Sequence, residues 1–377
     1  MPDKHLHIIS FDIPYPPNYG GVIDVYFKIR TLHELGIKIH LHCFEYPGRD
    51  RSPELNSVCE EVFYYPRKTG FRSALSFAPY IVTSRKSEDL MARLLKDDYP
   101  VLFEGLHSCY YIKDPRISER MKIYRESNIE HRYYYNLFKV TANLTNRIYF
   151  LVASAKLRLY QKVLRHADMM FAVSQHDTEY LQHHFPGKKI YHLPSFHANN
   201  RVSALTGKGD YALYHGNIEV PENEFAAAYL VTKVFDGFDI PLIIAGMNPR
   251  DKFIKLAESR PNIKVVANPD DKKMFDLIRN AQVNILVTFQ ATGLKLKLLN
   301  TLYNGRFCLV NEPMVKGTSL ESLCEIANTT DELRIKLKEL FSKEFSPVEV
   351  NRRSDYLKVR YDNLVNGQMM AGLIYKL

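Results

Sequence analysis

One stretch constrains the fold of this chain more than any other: Asn284 to Asn311, NILVTFQATGLKLKLLNTLYNGRFCLVN. Apolar residues 285–287 read as a buried strand, Ala291-Thr292-Gly293 as a turn of small residues, and Leu294, Leu298 and Leu302 recur at helical spacing. Gly305 ends that helix, and the apolar run 307–310 follows as the next buried parallel strand. The helix start therefore sits beside a glycine turn at the carboxyl end of a strand, where unbonded N–H groups and the helix dipole attract an anion. Lys295 and Lys297 stand in the first turn, where a cation is unfavourable unless an anion is bound nearby. The segment reads as a phosphate site. A solvated amphipathic helix with surface lysines accounts for the same letters.

The same strand-and-helix alternation runs through the chain. Residues 5–11 form a buried strand; Gly20-Gly21 precede a helix running to Leu35, Gly36 caps it, and 37–44 form the next strand, a βαβ unit. Gly20 and Gly21 let backbone approach a ligand at the helix start, or simply make a tight turn. Asp24, Tyr26, Arg30 and His33 on this helix read as mostly solvated. Strand 100–104 ends in GLHSCYY, and polar groups at the carboxyl end of a parallel strand are where α/β domains bind ligands. His107 is notable there, although a lone His is commonly a satisfied structural group. A short strand at 122–125 runs into ESNIEHRYYYNLF, where Glu126, Asn128, Glu130 and His131 crowd together. Helix capping by Asn128, with Glu130 in the first turn, explains two of the four and leaves Glu126 and His131 for chemistry.

From His131 to Ala167 there is no acidic residue, and tyrosines and phenylalanines alternate with Arg132, Lys139, Arg147, Lys156, Arg158, Lys162 and Arg165. Such a basic, aromatic, amphipathic stretch fits an anionic membrane surface or nucleic acid. It also fits a long helix packed on the sheet with snorkelling basic ends. A further strand over 167–173 and a capped helix over 178–184 follow; the polar, poorly periodic run SFHANNRVSALTGKGD is a linker. The alternation then restarts with strands at 211–215, 241–245 and 263–266, and helices are expected at 331–341 and 352–364.

At 377 residues, two domains are the better reading. The net charge of +9 points to an acidic partner, whether nucleic acid, anionic membrane or phosphorylated ligand, and selects none of them. Five cysteines without metal spacing read as reduced core thiols of a cytoplasmic protein, and the chain shows neither a signal peptide nor a membrane-spanning stretch.

The order Thr292-Gly293, Lys297, Asn300, Gly305 resembles the nucleotide-sugar signature of GT-B glycosyltransferases, close to the retaining family 4. In that signature a glycine turn is followed by a lysine, then a Glu that holds the donor ribose. The resemblance implies an α/β protein of two Rossmann-like domains with parallel sheets facing a cleft. Residues 1–200 would form the acceptor domain, 201–350 the donor domain, and 351–377 a C-terminal helix returning to the first. It implies a retaining, hexosyltransferase-like enzyme that moves sugar from a nucleotide-sugar donor to a glycan or lipid-linked glycan, without metal or other cofactor. Gly20, Gly21, Gly216, Asn217, Gln290, Thr292, Gly293, Lys295, Lys297 and Asn300 would bind the donor. His107, Glu126 and His131 would serve catalysis.

Three departures from the pattern are visible: Asn300 at the ribose position, Gln290 where the first acidic residue is expected, and Gly216-Asn217 with Glu222-Asn223 where an Arg and a Lys hold the pyrophosphate. They motivate an alternative, a GT-B-shaped protein that binds nucleotide or glycan without catalysis. A nucleic-acid partner is not expected, because charge alone supports it and no binding motif accompanies the charge. A cytoplasmic location, peripheral at the inner membrane face, follows from the basic stretch.

Overall fold

The structure, a computed structural model, describes residues 3–46, 48–70, 76–141, 143–289 and 296–376. Its described residues fall into two compact units, one holding the chain up to Ala198 and from Arg360 onward, the other the chain from Asn199 to Val359.

The first unit is a seven-stranded parallel sheet in the order β3-β2-β1-β4-β5-β6-β7. Its strands are β1 (Lys4–Ser10), β2 (Ile37–Glu45), β3 (Glu61–Pro66), β4 (Val101–Glu104), β5 (Lys122–Glu126), β6 (Met169–Ala172) and β7 (Lys189–His192). The central strand β4, VLFE, is buried on both faces, which is why its first three residues read as an apolar run rather than an alternating one. Helices α1 (Gly20–Glu34), α2 (Glu88–Leu94), α3 (Glu130–Val140), α4 (Leu144–Tyr160) and α5 (Gln175–His184) make the crossovers. Val25, Ile29 and Leu32 of α1 pack against Leu6, Ile8 and Ile39 on one face of the sheet. Leu90 and Met91 of α2, Leu157 of α4 and Leu181 of α5 pack against Phe44, Phe103 and Tyr124 on the other.

The second unit repeats the plan with six parallel strands in the order β10-β9-β8-β11-β12-β13. They are β8 (Ala212–Asn217), β9 (Leu242–Met247), β10 (Ile263–Ala267), β11 (Val283–Leu286), β12 (Phe307–Val310) and β13 (Glu325–Ile326). Around them lie α6 (Pro221–Tyr229), α7 (Asp251–Glu258), α8 (Asp271–Asn280), α9 (Leu296–Asn304), α10 (Thr330–Ser342) and α11 (Pro347–Arg360). The last helix described, α12 (Asn363–Tyr375), belongs to the first unit, where Gly367 lies so close to Thr31 of α1 and to Leu35 just after it that a Cβ would meet Thr31 Cγ2 at 2.7 Å.

Several expectations need correction. The helix expected at 352–364 ends at Arg360, and Asp362 caps a new one by accepting from the Val365 N–H. The acid-free stretch is not one long helix: it breaks into α3 and α4, and Asn143 restarts it by accepting from the Asn146 N–H. Asn128 does not cap α3 with its side chain. The residue before that helix is Ile129, and the Asn128 N–H donates to Glu126 Oε1 at 3.2 Å. Gly305 ends α9 by permitting close packing, since a Cβ there would overlap the side-chain amide of Asn284. Asp24 is buried rather than solvated.

Candidate functional site

In each unit the strand order changes direction beside the first strand, at β1/β4 and at β8/β11, and open parallel sheets bind ligands at the carboxyl ends of such switch points. Both points gather polar side chains.

In the second unit, β8 ends at Gly216-Asn217. Gly216 has φ +156°, and a Cβ on neighbouring Gly246 would overlap the Gly216 carbonyl oxygen, so both strand ends depend on glycine. Lys297, in the first turn of α9, donates from Nζ to Asn223 Oδ1 at 3.0 Å and lies 5.1 Å from the centre of the Tyr214 ring. Asn223 in turn donates to the Asn217 carbonyl at 2.9 Å. The buried His215 shares a 2.9 Å hydrogen bond between Nε2 and Thr301 Oγ1, and burial, reinforced by the Lys297 charge, lowers its pKa to about 3, so the ring is neutral. Beyond β11, Thr288 donates from its hydroxyl to Glu222, and its backbone is latched to the Asn311 amide by bonds of 3.0 and 2.7 Å. Lys297, Asn217, Asn223, Thr288 and the Glu222 carboxylate therefore gather at the carboxyl ends of β8 and β11.

The expected donor residues divide on this frame. Gly216, Asn217 and Lys297 come together at the β8/β11 switch. Asn300 lies one turn beyond Lys297, but its Oδ1 accepts from Asn304 Nδ2 at 2.7 Å, and Asn304 also reaches Asn199 at 2.7 Å. Gln290, Thr292, Gly293 and Lys295 lie outside the described residues. Gly20 and Gly21 open α1 in the first unit; among the described residues no side chain caps that helix start, and a Cβ on Gly21 would lie 2.7 Å from the Phe11 ring.

The first unit's switch point carries His107, Glu126 and Glu130. His107 follows β4, packs on the Phe11 ring, and sets its buried Nδ1 3.8 Å from Glu130 Oε1. Burial, with Arg85 and Arg67 nearby, holds its pKa well below the usual range. Burial raises the Glu130 carboxyl to about 8 against the pull of Arg85. Glu126 is pushed well above the carboxylate range by burial and by Glu130 and Asp177, and Tyr124 donates to it at 2.9 Å. Burial at this strand edge thus disfavours the charged form of all three groups. His131 stands aside from it, with its ring toward Tyr180 and its pKa lowered to about 4 by burial.

Two contributors were not foreseen. Arg85, buried and lowered to about 10 by desolvation, donates to the Phe11 carbonyl and biases Glu130. Beneath the edge, Lys28 contacts Asp24 at 3.0 Å and Glu104 at 2.8 Å, while Arg125 holds Asp24 at 3.1 Å and the Leu193 and Pro194 carbonyls at 2.5 and 3.0 Å. Asp24 also accepts from the Phe196 N–H at 2.7 Å, so this neutral quartet ties α1, β4 and β5 together below His107 and Glu126. A separate pocket of about 560 Å³ in the first unit has Lys68, Lys86, Lys113, Tyr110, Tyr111 and Tyr160 among its walls.

No protein-family profile matches the chain. An uncharacterized 44.6 kDa protein from the cps region of Klebsiella pneumoniae is 24% identical over 349 residues, covering 86% of this chain and 87% of that one. Among solved structures, sucrose-phosphate synthase of Thermosynechococcus elongatus superposes with a TM-score of 0.71 at 14% identity, covering 99% of this chain and 98% of its own. HepE of Anabaena, in complex with UDP and glucose, superposes with a TM-score of 0.65 at 10% identity, covering 99% and 100%. With two parallel sheets of seven and six strands and likeness along the whole length, the chain has the GT-B fold.

Proposed function

We propose that the chain is a glycosyltransferase that takes a sugar from a nucleoside diphosphate donor and passes it to a glycan or lipid-linked glycan. The observation that carries this reading is Lys297, an ammonium in the first turn of α9 at the β8/β11 switch, steadied by Asn223 and Tyr214. A helix start at the carboxyl end of a parallel sheet favours an anion, and in this reading the diphosphate is that anion. In this reading, charge on the departing diphosphate is met by Lys297 and helix N–H groups without a metal ion, and the sugar keeps its anomeric configuration, with the leaving phosphate acting as base. His107, Glu126 and Glu130 would receive the acceptor. Its setting would be the cytoplasmic face of a membrane.

A charge-assisted contact of this kind is worth roughly 1.5–3 kcal/mol. Lys297→Ala should weaken nucleoside diphosphate binding about tenfold or more in calorimetry. Unchanged affinity in a folded variant would remove the site from this reading.

The engagement of Asn300 by Asn304, where the resemblance calls for an acidic ribose ligand, favours a second reading: nucleotide binding without sugar transfer. Binding with no sugar turnover across a panel of nucleoside diphosphate sugars would select it.

A further inference from the structure

Helix α4 presents its apolar side to solvent. Leu144, Ile148, Leu151, Val152, Ala155 and Leu159 are all exposed, Leu144 at 70%, Ile148 at 57% and Leu159 at 56%. At about 100° per residue, these positions fall within an arc of roughly 100°, a continuous stripe along a helix of 17 residues. The opposite side is the one that packs: Leu157 is buried, and Phe150 meets Tyr134 of α3 edge-on at 5.9 Å. A surface helix ordinarily turns such a stripe inward, so burying Leu157 while exposing six apolar positions calls for an occupant.

Charge identifies the occupant. Every Lys, Arg, Asp or Glu between residues 131 and 167 is basic. By helical angle, Arg147 and Arg158 border one side of the stripe, and on the other lies the half-buried Lys156, which donates to the Ser76 carbonyl at 2.9 Å. Arg147 lies over the Phe138 ring at 5.0 Å, and Lys139 over Tyr135 at 4.7 Å, so these cations stand on aromatic supports beside the apolar band. Among the described residues no helix is long and apolar enough to cross a membrane. An apolar stripe between basic borders is the pattern of a helix lying in the plane of an anionic lipid surface, its apolar side sunk to the acyl boundary and its cations at the phosphates.

We propose that the exposed face of α4 is a docking surface for an anionic lipid bilayer. The surface is independent of the transferase reading, because none of the stripe residues belongs to the candidate site.

The test is vesicle co-sedimentation of the full chain, using neutral phosphatidylcholine vesicles and vesicles containing anionic phosphatidylglycerol, at low and high salt. The wild type should pellet with anionic vesicles at least tenfold better than with neutral ones, and salt should erase the difference. The double variant Ile148→Asp/Val152→Asp should lose at least tenfold of that binding. Both positions are exposed, so the variant is expected to melt like the wild type, and Val348→Asp, at an exposed apolar position in the other unit, should bind normally. Equal binding to both vesicle types, or an unaffected double variant, would overturn the proposal. So would a wild-type dimer that the double variant dissociates without any vesicle binding, since the stripe would then belong to a second copy of the chain.

Discussion

Glu130→Gln gives the buried edge of the first unit a quantitative test. The carboxyl titrates at about 8 in the folded chain against 4.5 for an unburied Glu. At pH 7 the folded state therefore keeps a proton that the unfolded chain has released. An acid whose pKa is raised on folding contributes its full stability only below the unfolded pKa, and that contribution is lost as pH rises through the folded pKa. Between pH 4.5 and pH 7 the loss is about 3 kcal/mol, at about 1.4 kcal/mol for each pH unit. Gln cannot ionise, and it keeps a neutral hydrogen-bonding group facing His107. The variant should match the wild type near pH 4.5, gain about 3 kcal/mol on it at pH 7, and gain no further well above pH 8. Urea unfolding followed by circular dichroism across this pH range reads the effect as a shift in midpoint. A variant less stable than the wild type at pH 7, or a midpoint difference that does not change with pH, would refute the assignment of a neutral, desolvated acid.

Further expectations concern the frame around the sites. Arg125→Met should cost the first unit about 3–5 kcal/mol by leaving Asp24 and two carbonyls short of a donor, and adding Asp24→Asn should recover part of that loss in a double-mutant cycle. His7 hydrogen-bonds His42 at 2.8 Å and Asp97 at 3.0 Å, and burial lowers its pKa to about 4. The folded chain thus prefers the neutral ring, and stability present above the unfolded pKa of 6.5 should fall by about 2 kcal/mol at pH 5, a fall that His7→Leu should blunt. Gly305→Ala should cost roughly 1–3 kcal/mol in thermal or urea unfolding, because its Cβ collides with the Asn284 amide.

The strands were largely legible because parallel strands buried on both faces are plain apolar runs: VLFE at β4 and FCLV at β12 have no competing pattern. Edge strand β3, EVFYYP, was missed; its alternation of charge, aromatics and a terminal proline does not look like a core strand. Lys297 could be placed at a strand-turn-helix junction from spacing alone. Its partners could not, because Tyr214 and Asn223 arrive from β8 and α6 respectively, more than seventy residues earlier. Asp24 was misjudged for the same reason: on its own helix it looks like a solvated acid, and only the fold brings Arg125 and the Phe196 N–H to it. The four histidines of β1 and β2 were likewise invisible as a group, since His5 meets His40 and His7 meets His42 only through the parallel register of the two strands. The basic stretch at 131–167 showed its charge in the sequence but not its direction, which depends on which side of α4 the fold buries.

The most direct measurement is nucleoside diphosphate release from a panel of nucleoside diphosphate sugars, with and without a lipid-linked glycan acceptor fraction, by the wild type and by Lys297→Ala. A sugar-transferring enzyme with its diphosphate site at α9 should release one nucleoside diphosphate preferentially, faster with acceptor present, with a mass-shifted glycan product and at least tenfold less of both in the variant. Release of none across the panel, or release at the same rate by wild type and variant, would contradict it.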